Sequence, residues 1–506
     1  MSGRVRAPAH GNLEVSIASQ PPAAPTGPPA RSNSPISRYA GPALVLIAFV
    51  TIAITAALGP SATEAPLGAN DRGATPPWHL DATPPSWLVT TLLVVAVAAA
   101  VGALWLGLTG RWRPQARRLT YAGALAAAAL AFLPPIGSAD SLSYAAYGRM
   151  VVTGHNPWTT EPSSLAGSDQ VERAVEVPWQ HTPSVYGPLA TAEQTAASAI
   201  AGPNVALTVL LLDLTAGATF IAAGFGLARI ATTEAGKVRA ALLWTANPLL
   251  WLELVAGAHL DVLAAGAALA AVAVAGRSRF AAGLFAGAAA AIKAPAALVW
   301  FALLWSARRS RPAILALAAG FVLVAGGGYA IAGGGLRHQL GRAAHQVSLA
   351  TPWKLLARLT DPTLGTGASR QIISLAALVL FAAVVRALML INPEIRSGAP
   401  AALAFALSFA YALAAPYALP WYDAVPWVLL PLLAASWIDA LVVAHTTVLA
   451  LAYLPGRAAY PLVGSMHTIA FGMREVVAPV LLLILLVLVL LTARQSTGRP
   501  EVLLRQ

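Results

Sequence analysis

Long apolar blocks make up most of the chain, and short breaks rich in arginine and lysine separate them. A helix needs about 20 apolar residues to cross a bilayer, and several blocks are shorter than that, so we predict about 12–14 transmembrane helices. The pattern therefore predicts an all-α polytopic membrane protein. The predicted spans are residues 41–59, 85–108, 119–136, 203–228, 239–257, 259–276, 280–293, 294–306, 312–332, 371–390, 399–415, 424–436, 440–455 and 476–493.

The basic breaks predict the orientation, because cytoplasmic loops carry an excess of arginine and lysine. We expect residues 1–38 and 494–506 to be cytosolic tails that flank a transmembrane core at 39–493, with external loops at about 137–202 and 333–370. The first tail is rich in Pro, Ala and Ser and lacks the short apolar core of a signal peptide, so it is predicted to be disordered. The breaks on the cytosolic side contain Arg4, Arg6, Arg31, Arg38, Arg111, Arg113, Arg117, Arg118, Lys237, Arg239, Arg308, Arg309 and Arg311.

Composition narrows the class of protein further. Of the 506 residues, 58% are hydrophobic and 10% are charged, and the formal net charge is +12. Because the basic residues lie mostly between apolar blocks, they indicate topology rather than a nucleic-acid partner. There is no cysteine, so no disulfide and no thiolate chemistry is available.

Polar residues with catalytic chemistry begin where the third span ends. In "SADSLSYAAYGR", Asp140, Tyr144 and Tyr147 are spaced i, i+4 and i+7, so a helix at the membrane surface would place them on one face beside Ser143. A carboxylate among aromatic rings suits sugar binding. The alternative is an interfacial helix whose tyrosines form an aromatic belt and whose Asp140 caps the first turn.

The same external loop offers further sugar-binding candidates. Arg149 and His155 follow the helix in "GRMVVTGHNPW", and Trp179, His181 and Tyr186 lie in the proline-rich "VPWQHTPSVYGP". Tryptophan and polar aromatic side chains make the contacts that carbohydrates favour. An exposed loop histidine is the alternative for His155.

Ionisable residues inside the membrane are costly, which favours a functional role for those in the middle spans. "NPLLWLELVAGAHLD" places Glu253 in a span with His259 and Asp261 at its outer end. They either contact substrate or form a structural trio that ties two helices together. Lys293 lies between two runs too short to span alone and precedes Pro295, which predicts a broken helix with the ammonium facing an anion or cavity. The alternative is snorkelling to the interface.

Two later segments are also candidates. The loop "GGGLRHQLGRAAHQVSLATPWKLLARLTDP" is basic although it is predicted to be external, which breaks the charge rule and requires a reason. "YALPWYDAVPW" places Trp421, Tyr422 and Asp423 between two spans on the same side. An aromatic belt explains the rings but leaves Asp423 unexplained.

The order of these motifs resembles a known family. "DSLSYAAYGR" with "GHNPW", then "HTPSVYGPL", "NPLLWLELVAGAHLD", "AAAIKAP" and "LPWYD" lie within about residues 131–427. In this order they resemble the actinobacterial polyprenol-phosphomannose-dependent α-1,6-mannosyltransferases, which are membrane enzymes of the type C glycosyltransferase fold. The resemblance rests on the ordered set, since no single motif is sufficient.

The resemblance implies inverting transfer of mannose from a polyprenyl-phosphate-mannose donor to an α-1,6-mannan of the lipomannan or lipoarabinomannan type. Transfer would occur on the extracytoplasmic face of the plasma membrane. Asp140 occupies the family's position for a catalytic acidic residue at the start of the first external loop, and we expect it to act as the base. The expected substrate-binding residues are Ser143, Tyr144, Tyr147, Arg149, His155, Trp179, His181, Tyr186, Glu253, His259, Asp261, Trp421, Tyr422 and Asp423. The expected donor-phosphate residues are Lys293, Arg337, His338 and Arg342.

No cofactor and no metal are expected, because a lipid monophosphate donor needs none and "SADSLS" lacks a close carboxylate pair. The expected partners are the lipid-linked donor, a mannan or glycolipid acceptor and the bilayer, without nucleic acid. One alternative keeps the fold but uses lipid-linked arabinofuranose or glucose. Another is a secondary transporter or lipid flippase, although transporters usually have two related halves, and we find no such repeat.

Overall fold

A computed structural model describes residues 35–68 and 75–497 of the chain, and this part is all-α. It contains no strand, only an isolated bridge between Glu64 and Ile136. The predicted cytosolic tails lie outside the described residues, except that 35–38 open the first helix and 494–497 close the last. The prediction of an all-α polytopic membrane protein is confirmed.

The described helices follow the predicted spans closely in the first half of the chain. In chain order they are α1 Pro35–Leu58, α2 Ser86–Leu108, α3 Ala116–Leu130, α4 Asp140–Val152, α5 Gln170–Arg173, α6 Pro188–Ala201, α7 Val205–Ile230, α8 Glu234–Ala240, α9 Pro248–Leu250, α10 Asp261–Val274 and α11 Arg279–Ile292.

The second half contains the longest helices. They are α12 Leu298–Ala307, α13 Arg311–Phe321, α14 Gly327–Ala343, α15 Pro352–Ile391, α16 Pro393–Ser397, α17 Pro400–Ala414, α18 Ala424–Leu429, α19 Trp437–Tyr453, α20 Gly464–Gly472 and α21 Ala478–Thr497. Residues 333–370, predicted as an external loop, are largely helical and belong to the end of α14 and the start of α15. Gly333 and Gly365 break these helices, with φ of 74° and 77° that a residue with a side chain rarely adopts.

Among the described residues, 6 helices are long and apolar enough to cross a membrane. They are Tyr39–Leu58, Ser86–Leu108, Val205–Ile230, Arg311–Ala343, Pro352–Ile391 and Gly464–Ser496. Shorter apolar helices, including α10, α11, α17 and α19, correspond to the other predicted spans. Fewer helices are long enough than the 12–14 predicted, because several apolar blocks are broken in the middle.

Two of these breaks determine the geometry of the core. Pro248 follows Asn247, whose side chain caps α9, and this break separates two π-helical turns, Ala241–Thr245 and Trp251–Val255. The second break is at Lys293, which is extended (φ −143°, ψ 117°) between α11 and α12. Proline lacks an N–H, so Pro295 cannot continue the hydrogen bonds of α11, and it lies in the first turn of the helical segment that begins at Ala294.

The helix α19 runs from one end of the core to the other. Its first turn contains Asp439, which pairs with Arg239, and it ends at Tyr453. Its 17 residues correspond to about 25 Å at 1.5 Å per residue. We call the two ends the Arg239 end and the Asp140 end, because Tyr453 and Asp140 line the same cavity.

Candidate active site

Asp140 opens α4, a helix that is buried rather than lying on the surface as expected. α4 packs against α6 and α7, and a Cβ on its Gly148 would lie 2.1 Å from the carbonyl oxygen of Gln194 in α6. Only glycine permits this close approach, which brings Asp140 into the core. The N-cap residue of α4 is Ala139, and the Asp140 carboxylate accepts its hydrogen bond from the Tyr144 hydroxyl instead of a backbone N–H.

A short hydrogen-bond chain supports Asp140 from behind. The backbone N–H of Asp140 donates to Ser138 Oγ at 3.2 Å, and Ser138 Oγ lies 3.0 Å from His259 Nε2. His259 Nδ1 lies 2.5 Å from the Glu253 carbonyl oxygen and can only donate to it. Nε2 is then free to accept from Ser138 when the imidazole is neutral.

The Asp140 carboxylate has few direct partners. Oδ2 lies 3.8 Å from His259 Nε2 and accepts a long hydrogen bond of 3.5 Å from the Tyr144 hydroxyl. Burial raises the pKa of Asp140 to about 6, although the Lys293 ammonium opposes this rise. A carboxylate with this pKa and free lone pairs is suited to general base catalysis near neutral pH.

Lys293 faces Asp140 from the break between α11 and α12. Its ammonium donates to Asp261 Oδ1 at 2.5 Å and lies 3.6 Å from the centre of the Tyr422 ring. The turn before α6 positions this break, since Gly187 N–H donates to the Ile292 carbonyl at 3.1 Å. The other oxygen of Asp261, Oδ2, is buried without a hydrogen-bond partner.

Asp140 and Lys293 line one cavity of about 300 Å³, which we call the Asp140 cavity. Its walls are mainly aromatic, and His259 lies behind one of them with its ring stacked on Trp421 at 3.6 Å. A volume of this size holds a sugar ring. The lining residues are Asp140, Ser143, Tyr147, Trp179, Thr182, Val185, Tyr186, Lys293, Ala294, Pro295, Leu340, Ala343, Ala344, Gln346, Tyr411, Tyr417, Leu419, Trp421, Tyr422 and Tyr453.

Many residues predicted from the sequence therefore meet in one place. Tyr144 and His259 contact Asp140, and Asp261 contacts Lys293. The predicted residues that line the Asp140 cavity itself are Asp140, Ser143, Tyr147, Trp179, Tyr186, Lys293, Trp421 and Tyr422.

Some predicted residues have other partners instead. Arg149 pairs with Asp169 at 2.7 Å, and His181 lies near Ser163 and Glu161 on the exposed loop. His155 is exposed and contacts Thr153, which matches the alternative of an ordinary loop histidine.

Two buried acids and the basic cluster also lie outside the cavity lining. Asp423 is buried against His445 and Thr446, which ties the start of α18 to α19, and Glu253 is buried with its backbone carbonyl on His259. The cluster Arg337, His338 and Arg342 is exposed on α14, whose Leu340 and Ala343 line the Asp140 cavity together with Ala344, the residue that follows the helix.

Four further residues line the cavity but were not predicted as site residues from the sequence: Tyr411, Tyr417, Tyr453 and Gln346. Tyr411 and Tyr453 lie in or at the end of apolar helices, where a tyrosine is typical of an aromatic belt. Tyr417 is the first residue of the motif "YALPWYDAVPW", so that motif was the available signal.

The described residues contain no group of three or more His, Asp or Glu side chains that could hold a metal ion. The expected independence of metal stays a prediction.

Comparison with known proteins places the chain in a family. The sequence model of the family described as "Alpha-(1->6)-mannopyranosyltransferase, N-terminal domain" matches residues 43–309, which is more than half of the chain. The chain belongs to this family. The match contains Asp140, His259, Asp261 and Lys293, and it ends before the cavity residues from Leu340 to Tyr453.

Curated relatives agree over shorter regions. A probable alpha-(1->6)-mannopyranosyltransferase of Mycolicibacterium smegmatis is 32% identical over 200 residues, which are 37% of this chain and 35% of the relative. Alpha-(1->6)-mannopyranosyltransferase A of Corynebacterium glutamicum is 29% identical over 179 residues, 35% of this chain and 36% of the relative. A Mycobacterium tuberculosis alpha-(1->6)-mannopyranosyltransferase is 34% identical over 143 residues, 27% of this chain and 24% of the relative.

The matched regions thus span about a third or less of the relatives' length. No solved structure matches the chain.

Proposed function

We propose that the protein is a membrane mannosyltransferase that moves mannose from a polyprenyl phosphate to an α-1,6-mannan acceptor. The observation that carries the proposal is the Asp140 carboxylate beside the Lys293 ammonium on an aromatic-lined cavity of about 300 Å³. Membership in the mannopyranosyltransferase family supports the choice of mannose. The named α-(1->6) activity of the relatives supports the linkage.

The proposed step is an inverting displacement at the anomeric carbon. The acceptor oxygen forms a bond to C1 as the bond from C1 to the phosphate oxygen breaks, and the phosphate leaves with the electron pair. Asp140 takes the proton of the acceptor hydroxyl, a role worth about 10²- to 10⁴-fold in rate. Positive charge develops on the sugar ring and negative charge on the phosphate, so a carboxylate and a cation are both required nearby.

The aromatic walls suit the sugar. Tyr147, Tyr186, Trp421 and Tyr422 offer ring faces for the apolar face of mannose, and Gln346 and Thr182 offer polar contacts. Lys293 would lie toward the phosphate, because its ammonium faces the cavity. Arg337, His338 and Arg342 remain candidates for the same role at the exposed surface.

The proposed setting is the plasma membrane, with both termini cytosolic and the Asp140 end on the extracytoplasmic face. The excess of arginine and lysine in the breaks on the other side supports this orientation. A lipid-anchored donor and an acceptor in the aqueous phase meet at such a boundary.

The proposal is tested by donor exchange. Purified protein is given synthetic polyprenyl phosphates carrying mannose, arabinofuranose or glucose, with a short α-1,6-mannoside as acceptor. We expect transfer from the mannose donor alone, with an α-1,6 linkage in the product. Transfer only from the arabinofuranose or glucose donor would change the sugar, and absence of transfer from every donor would refute the proposed function and favour lipid transport.

The proposed reaction requires no metal. The donor has a single phosphate, so no metal is needed to bridge phosphate groups. We expect EDTA to leave the mannose transfer rate unchanged, and loss of transfer that Mg²⁺ or Mn²⁺ restores would contradict this.

A further inference from the structure

A second cavity of about 190 Å³ adjoins the Asp140 cavity. Tyr417, Leu419 and Tyr453 line both, so the two cavities share a wall. The second cavity also contains Arg474, and we call it the Arg474 cavity. It lies entirely outside the region that the family match covers.

Arg474 is partly buried, and its charge has no carboxylate partner. Its Nε donates to the Ala452 carbonyl and its Nη2 to the Tyr453 carbonyl, both at 2.9 Å, which leaves Nη1 without a hydrogen bond. In the part of the chain that the structure describes, no carboxylate lies within 4 Å of it, and the adjacent Glu475 pairs with Arg358. Desolvating a cation without an anion is costly, so an arginine kept in this state favours an anionic ligand.

Four other partly buried arginines differ from Arg474 in having a carboxylate partner. Arg149, Arg239, Arg370 and Arg457 each pair with an aspartate or glutamate. Arg474 also lies in a π-helical turn, Met473–Val477, a distortion that is frequent at functional sites.

A series of contacting aromatic rings lies between Arg474 and Asp140. Its guanidinium lies 5.3 Å from the Tyr453 ring centre, and Tyr453 packs edge-on against Trp421 at 4.9 Å. Trp421 in turn stacks on His259, whose Nε2 is 3.8 Å from Asp140 Oδ2. The cation therefore belongs to the same assembly as the proposed base, next to the side chains that line both cavities.

The surroundings of Arg474 also suit a lipid. The helices on either side of the π-helical turn form one apolar span, Gly464–Ser496, and Ile469, Val476 and Val477 are exposed on its surface. In a bilayer these side chains face acyl chains. A phosphate held at Arg474 would keep its hydrocarbon tail beside this surface.

We propose that the Arg474 cavity binds the phosphate group of the lipid substrate, with Arg474 Nη1 as a charge-assisted donor. This rests on the proposed function and deepens it, because the phosphate of the departing lipid gains negative charge in the transfer step. Lys293 would act on the same phosphate from the Asp140 cavity, but Asp261 already compensates its charge at 2.5 Å. An uncompensated guanidinium stabilises the phosphate more strongly.

The test measures binding of farnesyl phosphate to purified protein by calorimetry, so it does not depend on the sugar. We expect Arg474→Gln to weaken farnesyl phosphate binding by about tenfold or more, the loss typical of a charge-assisted hydrogen bond. Binding of farnesol, which lacks the phosphate, should be the same in both proteins. Arg396→Gln is the control and should stay within about twofold, because Arg396 is exposed and does not line the Arg474 cavity.

A second pair of variants tests the cavity without removing the arginine. Ala458 is exposed and lines the Arg474 cavity, whereas the exposed Ala459 beside it does not. Ala458→Trp should weaken farnesyl phosphate binding by filling the cavity, and Ala459→Trp should not. This comparison remains decisive if Arg474→Gln does not fold.

Several outcomes would overturn the proposal. Unchanged farnesyl phosphate binding in folded Arg474→Gln or in Ala458→Trp would exclude the site, and inorganic phosphate competing as strongly as farnesyl phosphate would make it a site for free anions. The proposed function fails separately. If the protein binds phosphate at Arg474 but does not transfer mannose, the proposed function is wrong and the phosphate site stands. If it transfers mannose but the variants bind farnesyl phosphate as the wild type does, the phosphate site is wrong and the proposed function stands.

Discussion

Two ion pairs lie at opposite ends of the membrane core, and they differ in how completely their atoms are bonded. At the Arg239 end, the guanidinium donates to both oxygens of Asp439, at 2.9 and 2.6 Å, and to the carbonyl of Leu433 at 2.7 Å. Further bonds to the Leu430 and Pro431 carbonyls complete its shell. Such a saturated pair has no capacity left for a ligand.

At the Asp140 end, the pair of Lys293 and Asp261 is incomplete. The ammonium makes one bond of 2.5 Å and faces the Asp140 cavity, and Asp261 Oδ2 has no partner. Ser408 Oγ, also unpartnered, lines a small cavity of about 30 Å³ with Asp261. A buried charge with unused hydrogen-bonding capacity can still bind a ligand, which suits the proposed active site, whereas a fully hydrogen-bonded pair holds helices together.

The largest effect that separates the two ends is expected at Asp140. Asp140→Asn keeps the size of the side chain and removes the base, so mannose transfer should fall by about 10²- to 10⁴-fold. Transfer from polyprenyl-phosphate mannose to a short α-1,6-mannoside measures this. Thermal melting should match the wild type, and full transfer activity in the folded variant would remove Asp140 from the mechanism.

The reverse pattern is expected at the Arg239 end. Arg239→Gln leaves Asp439 buried without its cation, which should lower the free energy of unfolding by about 3–5 kcal/mol. The protein that remains folded should transfer mannose at the wild-type rate, since Arg239 does not line the Asp140 cavity. Melting temperature and activity per folded molecule measure the two effects, and a catalytic defect without destabilisation would break the comparison.

Only part of the site at the Asp140 end was predictable from the sequence. Asp140, Lys293 and the break at Pro295 were predictable because spacing and proline chemistry act locally. Arg149 was selected for its position beside Asp140, yet its partner is Asp169, twenty residues away. Tyr453 and Arg474 were missed because hydropathy finds each helix but does not specify which helices pack together.

A smaller effect is expected from the incomplete ion pair itself. Lys293→Gln removes the ammonium but keeps a polar side chain, and transfer should fall by about 10- to 100-fold, the range for a hydrogen bond to a charged group. We expect most of the loss in the KM for the lipid donor if Lys293 contacts its phosphate. Lys237→Gln at the Arg239 end is the matched control and should behave as the wild type. Equal, unaltered kinetics in both variants would assign Lys293 to structure alone.

The smallest expected effect is the dependence of the mannose transfer rate on pH, which tests Asp140 without a mutation. Burial raises the pKa of Asp140 to about 6, and the base works only when ionised, so transfer should rise with pH through 6 and level off above it. At pH 5 about a tenth of Asp140 would be ionised, which predicts about a tenth of the plateau rate. Because the folded pKa lies above the usual value for an aspartate, protonation of Asp140 stabilises the fold on acidification and does not cause unfolding. Melting temperatures between pH 5 and 8 check this, and a rate that stays flat down to pH 5 in folded protein would show that the base titrates as an ordinary exposed carboxylate.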